Sequence, residues 1–247
     1  VDAPARPLHL VLVHGSRLGS SQWAPQLPLL AGRATVGLVD LPGHGARADE
    51  PFTLARCAEV IGEAVASAPA SACTVVVGHS LGGYAVMTFA SENPDVAAGF
   101  VLADCSATPT GLGAAVYRGV AALTDRLGPE RMTRVNDRVL RRLYPPERIE
   151  PVIAGGYYFA PTPAAWAEVM THCRPSMLTG VRRPVLLLNG RFDQFRVGTR
   201  AFLRAAPTAR VEVLPRAGHL TNLDQPEAFT DAVLAFAREV ADSAPVT

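Results

Sequence analysis

Lysine is absent from this chain, and all 23 basic residues are arginine. That excludes a lysine nucleophile and Schiff-base chemistry. Beside so much alanine, it reads as codon bias from a GC-rich genome. An excess of one charge sign is also missing: 23 basic residues stand against 22 acidic ones, for a formal net charge of +1. Neither nucleic acid nor an anionic membrane is therefore expected as a partner. Cysteine is sparse. Cys57, Cys73, Cys105 and Cys173 are scattered without a CxxC pair, which argues against a zinc site and a disulfide framework and for reduced, mostly buried thiols. No apolar run reaches the roughly 18 residues of a membrane span. The first seven residues show no signal-peptide pattern, so a cytoplasmic setting is expected. The chain starts without Met, which leaves room for a processed upstream segment.

What is present is a globular composition, 49% hydrophobic and 18% charged over 247 residues, suited to one domain with a substantial core. Apolar, β-branched runs at 8–14, 34–40, 73–79, 99–104, 184–189 and 210–214 read as six strands. Helical patterns fall at 20–31, 54–68 behind a Thr53 cap, 81–92, 195–206 and 226–241. The alternation implies a mainly parallel, doubly wound sheet covered on both faces. Only about seven residues precede the first strand, so two opening strands ahead of it are expected to be reduced or absent. Between 106 and 183 the rhythm breaks into an Arg-, Pro- and Gly-rich segment with helical periodicity at 113–127, 130–143 and 163–172. It reads as a helical lid over the carboxyl edge of the sheet, within a single domain spanning 1–247.

The stretch that carries chemistry is Gly78-His79-Ser80-Leu81-Gly82-Gly83, where an apolar strand stops at a serine flanked by glycines and a helix begins. Such a turn strains the serine backbone and leaves no room for side chains beside it. The following helix N-terminus faces developing negative charge. A serine hydroxyl needs a base, and the base needs an orienting group. His219, in Ala217-Gly218-His219-Leu220 after the last strand, and Asp193, in Gly190-Arg191-Phe192-Asp193 after the preceding one, fall on the same sheet edge as Ser80. Asp193 also suits a helix N-cap. Asp104, at the end of the fourth strand, is the rival for the acid, and otherwise a loop cap or pocket-wall group.

The order Ser80, Asp193, His219, together with His14-Gly15, Asp40-Leu41-Pro42-Gly43-His44-Gly45 and Gly218-His219 followed by Gln225-Pro226-Glu227, resembles the α/β-hydrolase fold superfamily in its small, lidded, esterase-like branch. The resemblance implies an oxyanion hole from the backbone N–H groups of Ser16 and Leu81, and an acyl-enzyme on Ser80. It implies a small ester-like substrate and requires neither metal nor organic cofactor. Arg17 is either a neighbour of an acidic substrate group or a surface arginine. Trp23 is core or borders the oxyanion site. Tyr157, Tyr158, Phe159 and Trp166 form the densest aromatic group of the lid and either line a pocket or pack lid to core. His14, His44 and His79 read as structural turn residues. A serine at the elbow argues against the epoxide hydrolases and haloalkane dehalogenases, which need aspartate there. Ester, lactone or thioester hydrolysis is the central expectation. The alternatives are acyl transfer, cyclisation, C–C cleavage or lyase chemistry in secondary metabolism, and a receptor-like binding protein.

Overall fold

Within the strands, neighbouring side chains leave on opposite faces of the sheet, and here both faces are covered. Leu10, Leu12, Val75, Val77, Val101, Ala103, Leu186 and Leu188 point to one face, where they meet Trp23, Leu30 and the apolar side of a long C-terminal helix. Val11, Val13, Val76, Phe100, Leu102, Val185 and Leu187 point to the other. The computed structural model describes residues 6–108 and 128–243.

The strands are β1 (Leu8–Val13), β2 (Thr35–Val39), β3 (Cys73–His79), β4 (Gly99–Ala103), β5 (Val185–Gly190) and β6 (Ala209–Leu214). They form one parallel sheet in the order β2-β1-β3-β4-β5-β6. The four inner strands are apolar on both faces, as a doubly covered parallel sheet demands. The edge strands are not: Leu38 in β2 and Val211 and Val213 in β6 remain exposed. Among the described residues no further strand precedes β1. The direction in which strands are added reverses between β1 and β3, which opens a crevice at their carboxyl ends.

The helices are α1 (Leu27–Leu30), α2 (Leu54–Ala66), α3 (Leu81–Glu92), α4 (Pro129–Leu143), α5 (Pro146–Ile153), α6 (Thr162–His172), α7 (Thr199–Ala205), α8 (Thr221–Asp224) and α9 (Pro226–Ser243). Helices α2 and α3 pack together on one face of the sheet, and α9 crosses the other. Thr53 caps α2 as expected, its hydroxyl accepting the Arg56 amide at 3.1 Å. All four cysteines are buried and free. None of the helices among the described residues is long and apolar enough to cross a membrane.

Two expectations change. The helix expected over 20–31 is a 3-10 turn, Ser20–Trp23, and the short α1. Pro25 and Pro28 deprive the segment of the amides a continuous helix would use. The helix expected over 195–206 is a 3-10 turn, Gln194–Gly198, followed by α7. At the break, a Cβ on Gly198 would lie 2.6 Å from the Ser106 carbonyl oxygen. Helix α5 begins directly within Tyr144-Pro145-Pro146, because a proline at the first helical position has no amide to waste. The helix expected over 113–127 lies outside the described residues.

Candidate active site

Ser80 sits between β3 and α3 with φ 53° and ψ −114°, a region that non-glycine residues enter only under constraint. The glycines around it supply that constraint. A Cβ on Gly82 would approach the carbonyl oxygens of Val13 and His14 to 2.5 Å. One on Gly78 would run into the Gly82 carbonyl, and one on Gly83 into the Cys105 thiol. The elbow is thus wedged between β1 and the chain following β4, and no side chain larger than hydrogen fits at these three positions. Leu81 opens α3, so its amide has no acceptor within its own helix.

Ser80 Oγ lies 2.9 Å from His219 Nε2, and His219 Nδ1 lies 2.8 Å from Asp193 Oδ1. The carboxylate of Asp193 accepts only, so Nδ1 carries the proton and Nε2 is left to accept from the serine hydroxyl. The same Oδ1 accepts the Phe195 amide at 3.0 Å. Asp193 therefore caps the 3-10 turn and faces the histidine at once, so the two roles considered for it are not exclusive. The side chain of Asp193 is fully buried, while that of His219 keeps 24% of its surface accessible.

Asp104 does not take the rival position. It is fully buried at positive φ. Its Oδ1 accepts the Gly190 amide at 2.9 Å and its Oδ2 accepts the Thr221 hydroxyl. His79 Nε2 lies 3.4 Å from Oδ2. Burial pushes the Asp104 carboxyl above the usual carboxylate range, an effect opposed by its contact with His79. Its side chain has no exposed surface.

A buried polar network joins these loops beneath the serine. Gln22 accepts the Gly15 amide through Oε1 at 2.8 Å and donates through Nε2 to His79 Nδ1 at 2.9 Å. His79 then donates from Nε2 to the His219 carbonyl oxygen at 2.8 Å. Asn222 is held by Gln22 and Gln26. The loop after β1, the elbow and the histidine loop are thus tied through side chains that make their partners with one another. A Cβ on Gly190 would strike the Gly218 carbonyl oxygen, which keeps the Asp193 and His219 loops in direct backbone contact.

His14 and His44 are structural. His14 donates from Nδ1 to the Gly15 carbonyl at 2.7 Å and accepts the Leu41 amide at Nε2 at 3.0 Å. Burial, with His44 beside it, pushes its pKa down to about 3. Ser16 is half-buried and its hydroxyl has no partner among the described residues. Arg17, at φ 70°, accepts the Tyr158 amide at its carbonyl and holds its guanidinium 5.8 Å from the Phe159 ring centre.

Of the two readings for Trp23, core fits its packing: it is fully buried, lies 5.9 Å from the Phe229 ring on the sheet face of α9, and clusters with Leu10 and Leu12 of β1. Trp166 stacks on Phe195, which in turn stacks on His219 with ring centres 4.5 Å apart. Tyr157 donates to Asp137 and stacks on Phe159, and Tyr158 edges onto His44. Sequence reasoning misses Phe195, Gln22 and Thr221. Phe195 stands two residues from Asp193, a proximity that could have flagged it, whereas Gln22 and Thr221 carry no local signal.

The family model for the alpha/beta hydrolase family matches residues 10–232. The chain is 38% identical over 109 residues to the pimeloyl-[acyl-carrier protein] methyl ester esterase of Stenotrophomonas maltophilia, a match covering 44% of this chain and 39% of that protein. It thus spans about two-fifths of the length of that relative. A protein of the same name from Nitrosomonas europaea is 28% identical over 241 residues, covering 89% of this chain and 92% of its own. Among solved structures, a thermophilic esterase from Thermogutta terrifontis superposes with a TM-score of 0.76 at 26% identity, covering 96% of this chain and 92% of that one. On the match over residues 10–232, the chain belongs to the alpha/beta hydrolase family.

Proposed function

We propose that this protein is a serine hydrolase that cleaves a carboxylic ester, lactone or thioester through an acyl-enzyme on Ser80. The observation that carries the reading is the file Ser80 Oγ, His219 Nε2, His219 Nδ1, Asp193 Oδ1, with steps of 2.9 and 2.8 Å. The relatives named as esterases support the class of bond.

In the first half-reaction Ser80 Oγ attacks the substrate carbonyl carbon while His219 Nε2 takes its proton. Asp193 holds the tautomer and stabilises the imidazolium without taking the proton itself. The tetrahedral oxyanion faces the amides of Leu81 and Ser16, a pair of donors worth about 2.7–4 kcal/mol each in transition-state stabilisation. His219 then returns the proton to the leaving alcohol or thiol as the C–O or C–S bond breaks. Water, deprotonated by His219, releases the acid and restores Ser80. Phe195, stacked on the imidazole, shields one face of the base from water.

The segment 106–183 is proposed as the lid. Its helices α4 and α5 support this by packing on the loops that carry the site: Leu140, Ile149 and Val152 cluster with Leu18, Leu220 and Leu223. Arg17 and Trp166 are the side chains from which substrate selectivity is expected. Incubation with a fluorophosphonate probe and with p-nitrophenyl esters of varied chain length tests the reading. Labelling with turnover supports it, labelling without turnover favours transfer or lyase chemistry, and the absence of both overturns it.

A further inference from the structure

Asp224 lies five residues beyond His219, on the one-turn helix α8, and its two carboxylate oxygens face different parts of the molecule. Oδ2 accepts the backbone amide of Gly218, the residue before His219, at 2.6 Å. Oδ1 accepts the hydroxyl of Tyr144, which closes α4, at 2.7 Å. A carboxylate that accepts two donors at these lengths makes charge-assisted hydrogen bonds, which are the stronger class.

Three further observations place the same segment in a two-sided grip. Arg148, on α5, donates to the Leu223 carbonyl at 3.0 Å. The apolar contact continues beneath: Tyr144, Ile149, Val152 and Ile153 from the helical segment cluster with Leu223, and with Leu220 next to His219. From the sheet side, Asp104 holds Thr221, and Gln22 and Gln26 hold Asn222. Tyr144 is 8% exposed, and burial together with Asp224 raises its phenol well above the ordinary value, so it stays a donor. The chain from Gly218 to Asp224 is therefore fixed from below by the sheet loops and from above by the α4–α5 corner.

We propose that Tyr144 and Asp224 are positioning residues for His219, through which the helices between β4 and β5 set the orientation of the base. This rests on the reading of His219 as general base. In this relay no bond is made or broken. Asp224 fixes the Gly218 amide and hence the φ/ψ of the step into His219, and Tyr144 fixes Asp224. A shift of one ångström in a positioned group lowers rate far more than it lowers ground-state binding. The helical segment would thus contribute to turnover and not only to substrate access.

The test is steady-state kinetics on a p-nitrophenyl ester with the full chain and four variants: Tyr144→Phe, Asp224→Ala, Asp224→Asn and the double variant Tyr144→Phe/Asp224→Ala. Fluorophosphonate labelling of Ser80 in the parent protein comes first. If the parent does not label, the hydrolase reading fails. If it labels, Asp224→Ala is expected to lower kcat by about 30-fold and Tyr144→Phe by about fivefold, with KM changed less than about twofold. Asp224→Asn, which still accepts from Gly218, is expected to recover most of the rate. The double variant is expected to be no slower than Asp224→Ala alone, because Tyr144 acts only through Asp224. Labelling of the parent with kcat unchanged in both Asp224→Ala and Tyr144→Phe overturns the proposal and leaves the hydrolase reading standing. So do losses that simply multiply in the double variant. Should Asp224→Ala not fold, Tyr144→Phe and Asp224→Asn decide the matter: both at the parental rate overturns the proposal.

Discussion

Asp193 Oδ1 stands 2.8 Å from His219 Nδ1 while accepting the Phe195 amide. One oxygen thus orients the histidine and is itself oriented by the turn it caps. Asp104, the other carboxylate at this edge, spends both oxygens on Gly190 and Thr221. Asp193→Asn is therefore expected to lower kcat by about 10³–10⁴-fold by giving His219 the wrong tautomer. Asp104→Asn keeps an acceptor for Thr221 or Gly190 and is expected to stay within about tenfold of the parent. Steady-state kinetics on one ester decides this, and loss confined to Asp104→Asn would reverse the assignment.

The glycines of the elbow give a stability prediction. A Cβ at Gly82 would press on two backbone carbonyls of β1 and the loop after it, which no rotamer change relieves. Gly82→Ala is expected to destabilise the fold by roughly 3 kcal/mol or more. Gly32, whose Cβ would meet nothing within 4 Å but whose φ is +73°, is a control in which strain acts alone and Ala costs about 1 kcal/mol. Urea unfolding of the two variants reads the difference directly. Equal midpoints would contradict the packing account.

Acid should weaken the fold well before carboxylates protonate. His14 resists protonation down to about 3 in the native protein, against an ordinary value of 6.5. Between those values the unfolded chain binds a proton the folded one does not, so stability falls as pH falls and is fully present above 6.5. The slope approaches about 1.4 kcal/mol per pH unit for His14 alone. His9 and His44 are also shifted down by burial and act in the same direction. Asp104, shifted up, acts against them over the range just above its ordinary value. Urea midpoints are expected to drop between pH 7.5 and 5.5, and a midpoint that holds or rises would contradict this.

Much of the fold and of the site is legible in the sequence because its signals are local. The boundaries of β3 and α3 follow from an apolar run meeting Gly78-His79-Ser80, and Asp193 and His219 follow from their places after β5 and β6. What is not legible depends on pairs far apart in the chain. Gln22 meets His79 across 57 residues and Asn222 across 200, and nothing in either sequence neighbourhood announces it. Trp23 shows a different limit. Its spacing from Leu27 and Leu30 marks an apolar face but not which side of the sheet that face joins, because Pro25 turns the chain between them. Asp193 poses a choice between cap and acid only because a sequence pattern assigns one role per residue.

The central claim is that Ser80 carries the acyl group. The most direct measurement is rapid quenching of the enzyme with a p-nitrophenyl ester, followed by mass spectrometry of the peptide containing Ser80. The account predicts an added acyl mass on Ser80 that forms with the p-nitrophenol burst, decays as free acid appears and is absent from Ser80→Ala, whose kcat falls by at least about 10⁴-fold. Turnover that persists in Ser80→Ala, with Ser80 unmodified in the parent, would contradict it.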